Sequence, residues 1–107
     1  MPKKQDTSFL DFICDQLASI EGLRTRSMFG GFGIYAGDVF FALIFSSHLY
    51  FKVNDDTKKQ YIAWGMKPFT PSAKQIMKRY YEVPPDVFEE ASALEELAYE
   101  SIEAAMD

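Results

Sequence analysis

The sequence predicts an α+β domain of two layers, in which helices cover one face of an antiparallel sheet. Two observations support this. Over residues 23–53 the hydrophobic period is 2, with aromatic and β-branched residues between glycines, which is typical of strands joined by short turns. On both sides of this stretch the apolar spacing is helical. A doubly wound parallel sheet is excluded, because its strands need long crossover connections.

Length and composition favour one domain over residues 1–107. With 48% hydrophobic and 16% aromatic residues, the chain has enough apolar surface for a core and too much for an intrinsically disordered protein. Residues 1–6 are expected to be a flexible lead-in. The predicted element order is α-β-β-β-β-α-β-α.

The first helix begins after Asp6 or Thr7, either of which can serve as the N-cap, and is expected to stop at Gly22. Its apolar residues at helical spacing are Phe9, Ile13, Leu17 and Ile20. Four strands follow in a meander, near residues 24–29, 32–36, 39–46 and 48–53. Their turns are Gly30 with Gly31, residues 36–38, and Ser46 with Ser47.

The third of these strands is apolar on both sides, which indicates a central position. Simple alternation assigns one face to Val39, Phe41, Leu43 and Phe45, and the other to Phe40, Ala42 and Ile44.

A short helix is predicted over residues 56–64, capped by Asn54 or Asp55 and ended by Gly65. Residues 67–72 are interpreted as turns and residues 76–83 as a fifth strand. Ser92 and Glu95 form a capping box for the closing helix. Its inner face is expected to hold Leu94, Leu97, Ala98, Ser101 and Ala105.

The formal net charge of −5 is unevenly distributed. Residues 1–81 contain all 11 Lys and Arg residues but 7 acids, whereas residues 82–107 contain 9 acids and neither Lys nor Arg. The overall acidity opposes binding to nucleic-acid phosphates. A lone cysteine and the lack of a signal-peptide pattern predict a cytoplasmic protein. No membrane association is expected, since the longest apolar run, Val39–Phe45, is far shorter than the roughly 20 residues of a spanning helix.

The sequence contains no catalytic, metal or cofactor constellation, and we expect no enzymatic activity. His48 has no second ligand nearby, and Cys14 fits a buried thiol better than a nucleophile. The glycines around Phe32 precede a strand, whereas a phosphate-binding loop precedes a helix. A small-ligand pocket at residues 28–33 is therefore the weakest of three functional hypotheses.

The other two hypotheses concern the sheet. Arg24 and Arg26 share one face of the first strand, where Lys52 and Lys78 could join them beside Tyr50, Tyr80 and Tyr81. Such a surface could bind single-stranded nucleic acid. Alternatively, Phe40, Ala42 and Ile44 form an apolar strip for a protein partner or a second copy. The candidate interaction surface is Arg24, Arg26, Phe40, Ile44, Tyr50 and Lys52.

Residues 26–35, RSMFGGFGIY, resemble the signature of the TfoX N-terminal domain family. The signature turn is Met28, Phe29, Gly30, Gly31 and Gly33. Further family motifs follow in order: the apolar strand Val39–Phe45, residues 49–53, Pro68 with Phe69, and residues 80–84. The resemblance covers about residues 8–106 and departs locally at Ser47 with His48 and at residues 71–75.

The resemblance implies a small two-layer α+β domain without known enzymatic activity. Members that give the family its name are bacterial regulators of competence for DNA transformation, thought to act on transcription with the cyclic-AMP receptor protein. It therefore implies a protein partner, namely that receptor or the transcription machinery, more strongly than direct DNA contact. In those regulators a second, C-terminal domain follows, which residues 1–107 do not include, so competence itself is left open.

Overall fold

The computed structural model describes residues 7–28 and 30–106. The lead-in at residues 1–6, Phe29 and Asp107 lie outside the described residues. Within that part, the helices are α1 (Ser8–Gln16), α2 (Lys58–Ala63) and α3 (Ala91–Met106). The strands are β1 (Leu23–Met28), β2 (Gly31–Ala36), β3 (Val39–Phe45), β4 (His48–Lys52), β5 (Pro68–Ser72) and β6 (Gln75–Glu82). A short 3₁₀ helix, Pro85–Val87, precedes α3.

All six strands form one antiparallel sheet in the order β1-β2-β3-β4-β6-β5. The predicted α+β class and the meander of the first four strands are confirmed. Strand β5 is missing from the prediction, because Pro68 and Pro71 are typical of turns. A proline is tolerated in an edge strand, where its missing N–H faces no neighbour.

Helix ends differ from the predicted ones at α1 and α3, and at α2 one of the two predicted capping residues is confirmed. Helix α1 ends at Gln16, well before Gly22, and its cap Thr7 makes no side-chain capping bond. Asn54, rather than Asp55, caps the turn into α2, since its Oδ1 accepts the N–H groups of two following residues at 2.9 and 2.8 Å. The capping box was wrong, because α3 begins at Ala91 and Ser92 lies inside its first turn.

The main core lies between the sheet and α1 and α3. Its fully buried side chains include Ile13, Leu17, Ile34, Phe51 and Leu94. Helix α3 packs on β3 and β4 with Leu94, Leu97, Ala98 and Ser101 buried as predicted, but Ala104 is buried in place of the predicted Ala105. None of the helices in the described parts of the chain is long and apolar enough to cross a membrane.

A β-bulge in β3 overturns the predicted faces of that strand. Ile34 pairs with Ala42 and the next residue of β2 pairs with Phe40, so Phe41 is the extra residue. Phe41 and Ala42 consequently both join the helix-side core, together with Ile44. The bulge changes the side-chain alternation by one residue, which a periodicity argument does not detect.

Ser101 links this bulge to α3. Its hydroxyl donates a hydrogen bond of 2.7 Å to the carbonyl oxygen of Phe41, and the serine is 1% exposed. A bulged residue is left outside the regular ladder, so its main-chain groups need such partners. The serine therefore holds the helix over the irregular point of the sheet.

Replacing this hydroxyl tests the link. We expect Ser101→Ala to lower the free energy of unfolding by about 1 to 3 kcal/mol, because it leaves a buried carbonyl without its donor. Ser92→Ala, at an exposed position of the same helix, should change it by less than about 0.5 kcal/mol. Urea unfolding followed by circular dichroism measures both, and equal losses would contradict the proposed role of Ser101.

Candidate interaction surface

The sheet face turned away from α1 and α3, called the open face below, has a second apolar cluster. Leu43, Phe69 and Tyr80 are at most 7% exposed there. Around them pack the partly buried side chains of Phe40, Phe45, Tyr50 and Met77. No described helix covers this cluster; it is built from strand residues alone.

Strand β5 encloses the cluster from one side. The ring centroid of Phe69 lies 4.7 Å from that of Tyr50 and 5.6 Å from that of Phe45. On the other side, Phe40 lies between Tyr35 and Tyr80, at centroid distances of 5.1 and 5.7 Å. A nearly continuous aromatic surface therefore runs across the open face.

Cations border this aromatic surface. The guanidinium carbon of Arg24 lies 5.7 Å from the ring centroid of Tyr35, and Lys52 Nζ lies 5.2 Å from that of Tyr80. Arg24 also lies 3.6 Å from Asp38 and donates a hydrogen bond to a main-chain carbonyl. These contacts hold both cations against rings.

One carboxylate lies at the end of the open face beside the β3–β4 turn. His48 Nδ1 and Glu82 Oε2 are 2.7 Å apart; His48 lies on the same strand as Tyr50, and Glu82 is the residue of β6 that pairs with Tyr50. The turn itself, Ser46 and Ser47, has positive φ at both residues, as a tight two-residue hairpin requires. Burial, and secondly the charge of Glu82, raises the pKa of Tyr50.

The open face unites most of the residues that the sequence singled out. Arg24, Arg26, Phe40, Tyr50 and Lys52 all lie on it. Ile44 does not, since it is 5% exposed in the helix-side core. The bulge at Phe41 is the reason, because it places Phe40 and Ile44 on opposite faces.

Two further predicted members lie elsewhere. Tyr81 faces the helix side, with its ring 6.2 Å from that of Tyr61. Lys78 lines a depression beside Asn54 and Asp55 at the start of α2. Sequence reasoning missed Phe69 and Met77, although an aromatic residue within a proline-containing segment was a usable signal for an edge strand.

A family model described as the TfoX N-terminal domain matches residues 15–105. The chain belongs to the TfoX N-terminal domain family. The match spans β1 to β6 and nearly all of α3, so the open face lies entirely within it. No curated protein matches the chain. Membership suggests a competence-related regulatory domain.

The glycine turn of this TfoX N-terminal domain has a steric explanation. Gly30 has φ +80°, a conformation that other residues rarely adopt. A Cβ on Gly31 would clash with the main-chain carbonyl of Ile44, and one on Gly33 would meet the side chains of Met28 and Phe40. Phe29, the remaining member of the signature, lies outside the described residues.

The hollow beside this turn is small, about 150 Å³. Apolar side chains, glycines and two serines line it: Phe9, Leu10, Gly30, Gly31, Phe32, Ile44, Ser46 and Ser47. No titratable side chain is among them. The turn therefore serves the close approach of β2 to β3, and the lining offers no acid or base for ligand chemistry.

Cys14 and the possible metal ligands are the remaining candidates for chemistry in the domain. Burial, followed by the charges of Asp11 and Asp15, raises the pKa of the half-buried Cys14 thiol. Within residues 7–28 and 30–106, no group of three or more His, Cys, Asp and Glu side chains could hold a metal ion.

Alanine substitutions in the glycine turn should distinguish the steric constraint at Gly31 from the backbone constraint at Gly30. Gly31→Ala forces the β2 and β3 backbones apart, and we expect it to cost about 3 kcal/mol of unfolding free energy. At Gly30 a Cβ meets open space, so Gly30→Ala should cost only the left-handed backbone strain, about 1 kcal/mol. Chemical denaturation measures both, and the reverse order would contradict the steric explanation.

Alkaline pH should weaken the aromatic cluster. Burial, and secondly Tyr35, raises the pKa of Tyr80. Its stabilising contribution is therefore complete below the unfolded-state pKa of about 10 and is lost as pH rises through the folded-state value. We expect unfolding free energy to decline above about pH 10, less steeply in Tyr80→Phe than in wild type. Urea unfolding series measure this, with the exposed Tyr99→Phe as control; identical slopes in all three proteins would contradict it.

Proposed function

We propose that this domain is a non-catalytic regulatory module that binds a protein partner through the open face and acts on transcription through that partner. By resemblance to the family, the partner is the cyclic-AMP receptor protein or another component of the bacterial transcription machinery, so the site of action is the cytoplasm. The aromatic cluster bordered by Arg24, Arg26 and Lys52 is the observation that carries the proposal.

Its composition suits a protein interface. Tyr, Phe, Met and Arg are enriched at the centres of such interfaces, where rigid rings supply contact area at low entropic cost. Phe40, Phe45, Tyr50 and Met77 are each partly buried by neighbouring strands and partly accessible. A partner would bury the accessible part without requiring the rings to rearrange.

The charge distribution supports an oriented contact. Helix α3 has exposed carboxylates at Glu96, Glu100 and Glu103, and it lies on the opposite side of the sheet from the arginines. Opposite charges on opposite faces orient a domain as it approaches a partner and mainly increase the association rate.

A catalytic role has less support. The raised pKa of Cys14 disfavours its thiolate, which is the reactive form of a nucleophilic cysteine. His48 is paired with Glu82 at an exposed turn and is not among the residues that line the hollow at the glycine turn.

Direct binding of nucleic acid is the second candidate, and the geometry favours it less. Tyr80 is 6% exposed, so its face is not available for base stacking. The homodimer hypothesis also loses part of its basis, since Ala42 and Ile44 belong to the helix-side core.

Charge removal on the open face tests the proposal. We expect the double variant Arg26→Ala with Lys52→Ala to bind purified cyclic-AMP receptor protein or RNA polymerase at least about tenfold more weakly than wild type, because interface charges are lost. Lys58→Ala with Lys59→Ala removes the same charge from α2 and should leave binding unchanged. Calorimetry or biolayer interferometry measures the dissociation constants.

Two results would contradict the proposal. One is equal binding by both double variants, which would remove the open face from the interface. The other is salt-sensitive binding of DNA or RNA with no binding of either protein, which would favour the second candidate.

A further inference from the structure

Strand β1 forms one edge of the sheet, and no described segment lies along its outer side. Its four central residues, 24–27, are all exposed. Its pairing with β2 runs without a break over six residue pairs. A regular, exposed edge strand can accept a further strand, and proteins usually blunt such edges.

The opposite edge is blunted in that way. Strand β5 contains Pro68 and Pro71, which have no N–H to offer, and its register with β6 shifts twice. Strand β1 contains no proline and no bulge. Of the two edges, only β1 therefore presents a regular series of main-chain groups.

A hydrogen bond at the end of the β1–β2 ladder remote from the connecting turn determines which of those groups are free. Gly37 donates its N–H to the carbonyl of Gly22 at 2.8 Å, and these two residues continue the register of the ladder. Bonded and non-bonded pairs alternate along an antiparallel ladder. Arg24 and Arg26 are consequently bonded to β2, and Thr25 lies at the non-bonded position between them.

The β3–β4 hairpin leads to the same assignment of bonded and non-bonded residues in β1. Phe45 and His48 flank a two-residue turn and form a hydrogen-bonded pair. Bonded and non-bonded pairs alternate along each ladder, and this alternation can be followed from that pair through β3 and β2 to β1. It again places the main-chain N–H and C=O of Arg26 on the side of β1 that faces β2. The N–H and C=O groups of Thr25 and Ser27 therefore point outward from the edge.

The charged side chains beside this edge are two arginines and the exposed carboxylate of Asp38, which lies 3.6 Å from Arg24. Arg24 and Arg26 project onto the open face, two residues apart, and with Thr25 and Tyr35 they line a hollow of about 290 Å³. In an added antiparallel strand, the residue opposite each arginine lies about 5 Å away on the same face. Acidic residues at every second position of that strand would meet both arginines.

A second copy of the chain is disfavoured at this edge in the two registers that would pair most of β1. Pairing two β1 strands about a twofold axis centred on Thr25 places Arg24 of each copy opposite Arg26 of the other. Moving the axis to Arg26 places the two Arg26 side chains opposite each other. Like charges directly opposite destabilise a strand pair.

We infer that the β1 edge binds an extended acidic segment of a partner protein, with Asp or Glu at alternate positions, by adding it to the sheet as a seventh strand. The inference rests on the proposed regulatory function and names the chemistry of the partner. Main-chain bonds to Thr25 and Ser27 supply the docking geometry, and the arginines select the acidic sequence.

A synthetic peptide tests this inference on the whole chain. The probe is acetyl-Thr-Glu-Val-Glu-Val-Thr-amide, with a Lys-for-Glu peptide as the matched control. We expect only the acidic peptide to bind, to protect the amides of Thr25 and Ser27 from hydrogen exchange, and to bind about tenfold more weakly to Arg24→Gln with Arg26→Gln.

Substitutions at Thr25 test the main-chain hydrogen bonds of the edge independently of the arginine charges. Thr25→Pro removes one outward N–H without removing a β1–β2 bond, and it should abolish peptide binding. Thr25→Val keeps the N–H and should bind normally. Circular dichroism and the thermal midpoint show whether Thr25→Pro remains folded. If this variant does not fold, protection of the β1 amides in the wild-type protein decides whether the peptide adds a strand.

Several outcomes would overturn the inference. Equal binding of both peptides would contradict selection by the arginines. Peptide binding without protection of the β1 amides would contradict the addition of a strand. Concentration-dependent self-association that protects the same amides identifies a second copy as the occupant. If partner binding persists and depends on Lys52 while the peptide fails to bind, the edge inference fails and the proposed open-face function stands.

Discussion

The bulge at Phe41, held by the hydroxyl of Ser101, decides how the two faces of the sheet are composed. It places Phe41 and Ala42 together in the helix-side core and shifts Phe40 to the other side. The bond from Ser101 links α3 to the sheet at this irregular point. Without the shift, Phe41 and Leu43 would share a face, and neither core would have its present members. The main core and the open face therefore depend on one local irregularity.

The open face is stable without a helix because β5 and β6 cover part of it. Phe69 packs against Phe45 and Tyr50, which buries enough aromatic surface for a small second core. The rest stays accessible, and rings that are held on one side and exposed on the other are preorganised for contact. The cations beside Tyr35 and Tyr80 are held in place by those same rings. Stability and the proposed binding thus use the same side chains.

The family's glycine-rich turn contributes to this surface indirectly. Gly31 permits close approach to the Ile44 carbonyl, and Gly33 leaves room for Met28 and Phe40 to lie across the strand. A phosphate loop would need a helix N-terminus after the glycines, and here β2 follows. The signature is therefore explained by packing of β1, β2 and β3, and the edge presented by β1 is a consequence of that regular packing.

The sequence by itself determined the α+β class, the meander, the buried stripe of α3 and the location of Arg24, Arg26, Tyr50 and Lys52 on one surface. These follow from hydrophobic period and turn residues, which are local properties. Only the tertiary structure decided the faces of β3, the strand status of residues 68–72 and the exclusion of Ile44 from the surface. A bulge is a difference in register between two strands, and a proline-containing edge strand exists only through its neighbour. Neither is encoded in the local pattern of a single segment.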